Sequence, residues 1–185
     1  MKFEKLAPPE LDATDLAILD QLQRNCKQPL AEIGKQVGLT ASSVVERIKK
    51  LEDAGVVRGY VALVDARSVG KDVTAFIGVS ISHPRAFEPF EKEIESAADV
   101  LECHHVTGQH TLMLKVKTEN TETLEQLIDQ IRRIEGVTRT ETMVVLSTHT
   151  ERTRIALDAC DAPLPRRSRR PARARKANDD VRATE

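Results

Sequence analysis

Residues 30–60, LAEIGKQVGLTASSVVERIKKLEDAGVVRGY, decide the fold of the first third of the chain. They read as two short helices joined by a tight turn at Val37-Gly38-Leu39-Thr40, followed by a Gly-closed exit and a β-forming segment. Gly38 supplies the permissive backbone that a helix end requires. Thr40 is placed to cap the next helix by accepting from an orphan N–H. Val44, Ile48 and Leu51 then recur at helical spacing as one buried stripe. The other face carries Ser42, Ser43, Glu46, Arg47 and Lys50. A short polar and basic face, held out by a helix behind a turn, is what the major groove of DNA admits and reads. An ordinary amphipathic helix pair has the same periodicity, so this stretch alone leaves both readings standing.

The residues upstream favour the first reading. Leu11-Asp12-Ala13-Thr14-Asp15-Leu16 is a capped helix start, with Asp12 as cap and Leu11 and Leu16 placed for a hydrophobic staple. The helix continues through Ile18, Leu19 and Leu22 and ends near Asn25. Three helices of this length suffice to bury the inner face of a recognition helix. On its outer face Arg47 is the first candidate reader, because a guanidinium donates two bonds to guanine or clamps a phosphate. The competing partner for Arg47 is Glu46 or a carboxylate of the first helix. Ser42 and Ser43 reach phosphate or a base edge, Lys50 meets phosphate, and Thr40 and Glu46 flank them. Val45 sits off the buried stripe and touches either a thymine methyl or a neighbouring helix.

The second half alternates element types. Val56–Val64 is rich in β-branched residues and predicts a strand, and Asp65–Asp72 a polar connector. Thr74–Ile81 predicts a strand, and Phe87–Ala97 a helix with Phe87, Phe90, Ile94 and Ala97 on one face. Val100–Thr107 and Thr111–Lys117 predict two strands parted by Gly108. Thr121–Ile134 predicts a helix with Leu124, Leu127, Ile128 and Ile131 inward, stopped by Gly136, and Val137–Thr148 a last strand. The order βαββαβ is the ferredoxin-like split motif, an antiparallel four-stranded sheet with both helices on one face. The chain is therefore α+β: a three-helix, winged-type helix-turn-helix domain over 11–60, a linker over 61–73, and a ferredoxin-like domain over 74–150. Glu151–Ala162 is compatible with a further short helix.

Composition narrows the class. The 185 residues carry a net charge of −1, which hides an asymmetry. From Pro163 onward there are 8 Lys/Arg and 3 Asp/Glu, a net of +5, whereas residues 1–162 have a net of −6. Residues 163–185 hold too little apolar surface to offset ordering entropy and read as a basic disordered tail. Its run Arg166, Arg167, Arg169, Arg170, Arg173, Arg175 and Lys176 is either a phosphate-binding arm or a solvated end that aids solubility. Cys26, Cys103 and Cys160 are far apart with no metal spacing, so neither a metal site nor a cofactor is expected. His104 and His105 point to opposite faces of a strand and do not readily share a metal with each other, and His110 completes no ligand set; structural or interfacial histidines are expected. No apolar run approaches the roughly 20 residues a membrane helix needs, and no signal peptide is evident. A cytoplasmic location is expected.

From Leu11 to about Leu146 the chain resembles the Lrp/AsnC (feast/famine) family of transcriptional regulators. The matching motifs are LDATDLAILDQLQ at 11–23, LAEIGKQVGLT at 30–40 and VVERIKKLEDAGVVRGYVALVD at 44–65, with VTG at 106–108 followed by LMLKV at 112–116. The resemblance implies a DNA-binding regulator, not an enzyme. It implies a homodimer, with tetramers or octamers beyond it, in which a second subunit's sheet covers the open sheet face. It also implies a small-molecule pocket, for an amino acid, lined by Gly108, Gln109, His110 and Thr111. Thr140 and Thr142 on the last strand either add polar groups to it or belong to a solvated edge. Where the family often has Gly-x-Tyr-Asp, this chain has His110 and Thr111 at the Tyr and Asp positions. An α-amino group needs an acceptor, preferably a charged one, so either the ligand differs or the pocket is vestigial. Two other functions fit the same residues. One is a nucleoid-compacting protein in which the basic tail dominates. The other is a porphyrin decarboxylase of similar architecture, using His104, His105 or His110.

Overall fold

The computed structural model describes residues 9–157. Cys160, the basic run from Arg166 to Lys176 and the expected tail over 163–185 lie outside the described residues. The chain divides into two compact units. Among the described residues the first holds those up to Tyr60 together with Thr153–Leu157, and the second spans Val61–Arg152.

In the first unit, α1 (Ala13–Arg24) starts at a capping box. The Asp12 side chain accepts from the Asp15 backbone N–H at 2.8 Å, and the Asp15 side chain accepts from the Asp12 N–H at 3.2 Å. Two of the orphan donors of the first turn are thereby satisfied. Helix α2 (Leu30–Val37) ends at Gly38 in the left-handed region, φ 72°. Helix α3 (Ala41–Asp53) begins at Thr40, whose side chain accepts from the Ser43 N–H. Ile18, Ile33 and Val44 are fully buried between the three helices, with Leu19, Val37, Ile48 and Leu51 around them. Each such side chain contributes roughly 1.5–3 kcal/mol when removed from water.

Gly34 lets α2 approach the turn. A Cβ there would lie 2.7 Å from the Leu39 carbonyl oxygen, and the Leu39 N–H donates to the Gly34 carbonyl at 2.8 Å. The turn is thus closed on its own helix, and the closure fixes where α3 begins.

The strand expected over Val56–Val64 is not formed. The Val56 and Val57 N–H groups both return to the Leu51 carbonyl, so this segment starts as the exit of α3. Val61, Leu63 and Val64 are 80%, 75% and 63% exposed. A β-rich composition makes a strand only when a neighbour completes the ladder, and the described residues offer none. Likewise Glu151–Leu157 forms no helix, and 158–162 lie outside the described residues.

In the second unit the connector contains one 3-10 turn, Arg67–Val69. Then come β1 (Val73–Ile81), α4 (Phe87–Glu95), β2 (Val100–His105), β3 (Leu112–Thr118), α5 (Thr121–Arg133) and β4 (Val137–Val144). All neighbours are antiparallel in the order β2-β3-β1-β4, as the βαββαβ pattern requires. Ala75, Ile77 and Val79 of β1 and Leu112, Leu114 and Val116 of β3 are buried on one sheet face, packed with Phe90, Ile94, Leu124, Leu127 and Ile131 of the helices. Side chains alternate between faces. Phe76, Gly78, Met113, Lys115, Glu141 and Met143 therefore lie on the opposite face, which no element among the described residues covers with a helix.

The Gly34 contact generates a stability prediction. Gly34→Ala should lower the urea midpoint of the first unit by the equivalent of about 1–3 kcal/mol, because backbone rather than a flexible side chain must give way. A denaturation curve unchanged from wild type would show that the turn can shift without cost.

Candidate functional site

Ala41, Ser42, Val45, Glu46, Lys49 and Lys50 are exposed along α3, opposite buried Val44, Ile48 and Leu51. At its N-terminus three hydroxyls converge: Thr40 Oγ lies 3.0 Å from Ser42 Oγ and 2.9 Å from Ser43 Oγ. They stand where the free N–H groups and positive end of the helix already favour a phosphate oxygen. Lys49 and Lys50 form no ion pair among the described residues and carry their ammonium groups free. Sequence reasoning missed Lys49. It lies near the centre of the outward face, three residues past Glu46, and the 3.6-residue period alone would have shown it.

Arg47 does not point outward. Its Nη1 donates to Asp15 Oδ1 at 2.6 Å and to Asp12 Oδ2 at 2.7 Å. The reason is angular. Arg47 comes three residues after buried Val44 and immediately before buried Ile48, so it leaves α3 at the edge of the apolar stripe, facing α1. The Asp15 side chain is 4% exposed and that of Arg47 33%. Of the two partners considered from sequence, geometry selects the carboxylates of the first helix. Burial alone would raise the Asp12 carboxyl. The Asp15 N–H it accepts and the Arg47 guanidinium together outweigh this and hold it below the ordinary carboxylate range. The guanidinium is correspondingly held more firmly protonated by Asp12 and Asp15.

A groove beside α3, about 510 Å³, is lined by Leu22, Cys26, Leu30, Val45, Ile48 and Tyr60 among others. Val45 faces this groove, half-exposed. The Tyr60 hydroxyl donates to Glu52 at 2.8 Å, and burial, reinforced by that carboxylate, pushes the phenol up to about 12.

The loop over Val106–Thr111 lies in the second unit. The Thr111 N–H donates to the Val79 carbonyl at 2.9 Å, and Thr111 Oγ accepts from the Ile81 N–H at 3.2 Å, so Thr111 ties the loop to β1. His110 lies over Gly78, where a Cβ would meet the imidazole at 2.5 Å. Its Nε2 is 3.5 Å from Glu141 Oε2, a pairing that is ionic only when the ring carries its second proton. His110 Nδ1 is buried without a hydrogen-bond partner among the described residues. Gly108 is at φ 122° and Gln109 is exposed beside it.

Thr142 does not join this group. It pairs with Ile77, whereas Glu141 pairs with Gly78, so Thr142 lies on the helix-bearing face and Glu141 on the open one. Thr140 shares the face of Thr142 and accepts from Arg132 Nε at 2.8 Å. Sequence reasoning thus placed the wrong parity of β4 at the site. Of the three histidines weighed for chemistry, His105 packs its ring 5.0 Å from that of Phe87 and His104 lies 3.1 Å from Glu102. No group of three or more metal-ligating side chains converges among the described residues, and no helix among them is long and apolar enough to cross a membrane.

Both units match known protein families. Residues 11–52 match the AsnC-type helix-turn-helix domain, and residues 74–155 match the Lrp/AsnC ligand binding domain. The HTH-type transcriptional regulator FL11 of Pyrococcus furiosus is 35% identical over 145 residues, 78% of this chain and 95% of that protein. An uncharacterized HTH-type transcriptional regulator of Bacillus subtilis, YezC, is 43% identical over 119 residues, 64% of this chain and 84% of that one. The crystal structure of a Neisseria meningitidis transcriptional regulator in complex with L-Met superposes with a TM-score of 0.77 at 32% identity, over 80% of this chain and 98% of that one.

The position of Arg47 generates a prediction for stability and its pH dependence. Arg47→Ala should destabilise the first unit by about 2–3 kcal/mol, because it strips the buried Asp15 of its cation. The Asp12 carboxyl is depressed in the folded state. Its contribution is therefore complete above the ordinary carboxylate pKa and fades as pH falls through the depressed value. Thermal melts across the acid range should show wild type losing stability there and Arg47→Ala losing less. Equal melting temperatures at neutral pH would release Arg47 from this role.

Proposed function

The chain belongs to the Lrp/AsnC family of transcriptional regulators, and on that premise we propose how its own residues do the work. Residues 11–60 lay α3 into the DNA major groove. Ser42, Glu46 and Lys49 meet base edges there, while Ser43 and Lys50 meet flanking phosphates and Thr40 holds the helix start. The observation that carries this reading is the division of α3 into a buried stripe and an outward face whose polar groups stay free of intradomain ion pairs. Arg47, the first reader by sequence, acts instead as the brace that holds this face outward. The protein acts in the cytoplasm and catalyses no reaction; the relatives it resembles carry the names of regulators.

Residues 74–150 join two copies through the open sheet face. Phe76 and Met143 are 36% and 45% exposed there and pair across the ladder. Met113 stands beside Gly78 on the adjoining strand. An apolar centre rimmed by Lys115, Glu102, Arg139 and Glu141 is the anatomy of an isologous interface. A two-fold dimer presents two α3 helices to two half-sites, and assembly into tetramers or octamers extends the same logic.

The Neisseria regulator was solved with an amino acid. For this chain an amino-acid effector would meet Gly108, Gln109, His110 and Thr111 on the open face. The chain has no Asp at position 111, and Glu141 is the carboxylate placed to accept from an α-amino group. Thr142, on the other face, has no part in it.

Three outcomes test these proposals. Lys49→Ala should weaken binding to an operator selected from genomic DNA by about 1–3 kcal/mol with the melting curve unchanged; unchanged affinity would remove Lys49 from the interface. Light scattering should give a mass at least twice the 20.6 kDa of one chain, and Phe76→Glu should reduce it to one. A wild-type particle of one chain at micromolar concentration would count against the sheet interface. In titration calorimetry with a panel of L-amino acids, Glu141→Gln should abolish whatever binding wild type shows.

A further inference from the structure

One row of residues crosses the whole open face of the sheet. The register sets His104 of β2 opposite Met113 of β3, Met113 opposite Gly78 of β1, and Gly78 opposite Glu141 of β4. His110 fills the gap in that row, because its imidazole lies over Gly78 where a Cβ would stand. His105 pairs with buried Leu112 and so belongs to the other face. The row thus carries two imidazoles, each beside a carboxylate. His104 Nε2 is 3.1 Å from Glu102 Oε2, and His110 Nε2 is 3.5 Å from Glu141 Oε2.

Each carboxylate also has a permanent cation. Glu141 meets Arg139 at 3.2 Å, and Glu102 meets Lys115 at 3.2 Å. Lys115 in turn meets Glu151 at 2.9 Å, and Lys117, two residues on, lies on the same face. These are the charged side chains that the register and the ion pairs set around the two rings. With both rings neutral, three Glu meet three Lys/Arg and the face is balanced. A second proton on each ring leaves the face at +2 per copy, because five cations then stand against three Glu. The bonds from His104 and Lys115 hold the Glu102 carboxyl below its usual range, so it stays ionised while imidazoles titrate. His110 adds a second penalty. Its Nδ1 is buried without a hydrogen-bond partner among the described residues. Protonated, that nitrogen becomes a charge-bearing donor with no acceptor, which costs more than a bare neutral acceptor does.

We propose that this row is a proton-operated switch on self-association: neutral His104 and His110 let the open faces of two copies meet, and protonation of the two rings drives the copies apart. The switch rests on the reading of the open face as the interface between copies. A two-fold interface sets a patch against the same patch of its partner, so the added positive charges face one another. The covering copy also excludes the water that would otherwise solvate the His110 Nδ1–H. Imidazole is the side chain that changes charge between about pH 5 and 8. The separated chains bind more protons than the pair does. Association is therefore strongest at the upper end of that range and weakens as pH falls through it.

The test is analytical sedimentation of the full-length protein from about pH 8 down to about pH 5.5 at constant salt, with circular dichroism confirming the fold at each step. The dissociation constant of the pair should rise at least about tenfold across that range. The slope of its logarithm against pH counts the protons taken up on separation. His104→Gln, at an exposed position, should lower that slope by up to about 2, one proton for each copy. His104→Gln/His110→Gln should remove most of the rise; should the double variant not fold, the single variant decides. Added salt should blunt the rise in wild type by screening. A dissociation constant that ignores pH, or a slope that His104→Gln leaves unchanged, would overturn the switch and leave the sheet interface standing. A wild-type protein that sediments as one chain at every pH, or a pair that Phe76→Glu fails to break, would overturn the reading of the open face and the switch with it.

Discussion

The Arg47 guanidinium between Asp12 and Asp15 is the constraint on which the helical unit depends. It joins the helix that would meet DNA to the start of the helix that supports it, and its partners are the two members of the capping box of α1. One cation thus stabilises two carboxylates that already hold the first turn's N–H groups. Apolar packing of Val44, Ile48 and Leu51 fixes how deeply α3 sits, but it tolerates rotation about the helix axis. A directional bond from the edge of the stripe does not. The outward face of α3 is set by this bond as much as by the stripe behind it.

The same economy runs through the sheet. Its helix-bearing face is closed by Phe90, Ile94, Leu124, Leu127 and Ile131. Its open face combines a small apolar centre with charged pairs. There the Lys115 ammonium meets Glu102 at 3.2 Å and Glu151 at 2.9 Å. Its bonds to these carboxylates keep it more firmly protonated. The bond to His104, joined by that of Lys115, keeps the Glu102 carboxyl below its usual range, and Lys115 does the same for Glu151. Paired charges at the edge of an apolar patch resist unselective association while leaving the patch available to a copy of matching shape.

Elements governed by local periodicity were legible in the sequence. The cap at Asp12, the turn at Gly38, the stripe of α3 and the βαββαβ order all come from spacing and capping chemistry within a few residues. The features that were not legible depend on partners distant in sequence. Val56–Val64 has the composition of a strand, yet pairing is a property of two segments, and one segment cannot reveal that the second is missing. Arg47 looked like a reader because its partners lie 32 and 35 residues away. The face that Thr142 takes is not legible either, because strand parity is set by register with β1, and one residue of register exchanges the faces. Gly34 and Gly78 gave no local signal, since each serves a close approach by a carbonyl or an imidazole elsewhere in its unit.

Once Arg47 is counted as structural, the electrostatics of DNA binding change. The exposed charges of α3 are Lys49 and Lys50 against Glu46, Glu52 and Asp53. Such a face cannot rely on phosphate attraction and must discriminate by fit, with carboxylates that penalise wrong registers as well as donors that reward the right one. A helix of this kind gives specificity at low overall affinity.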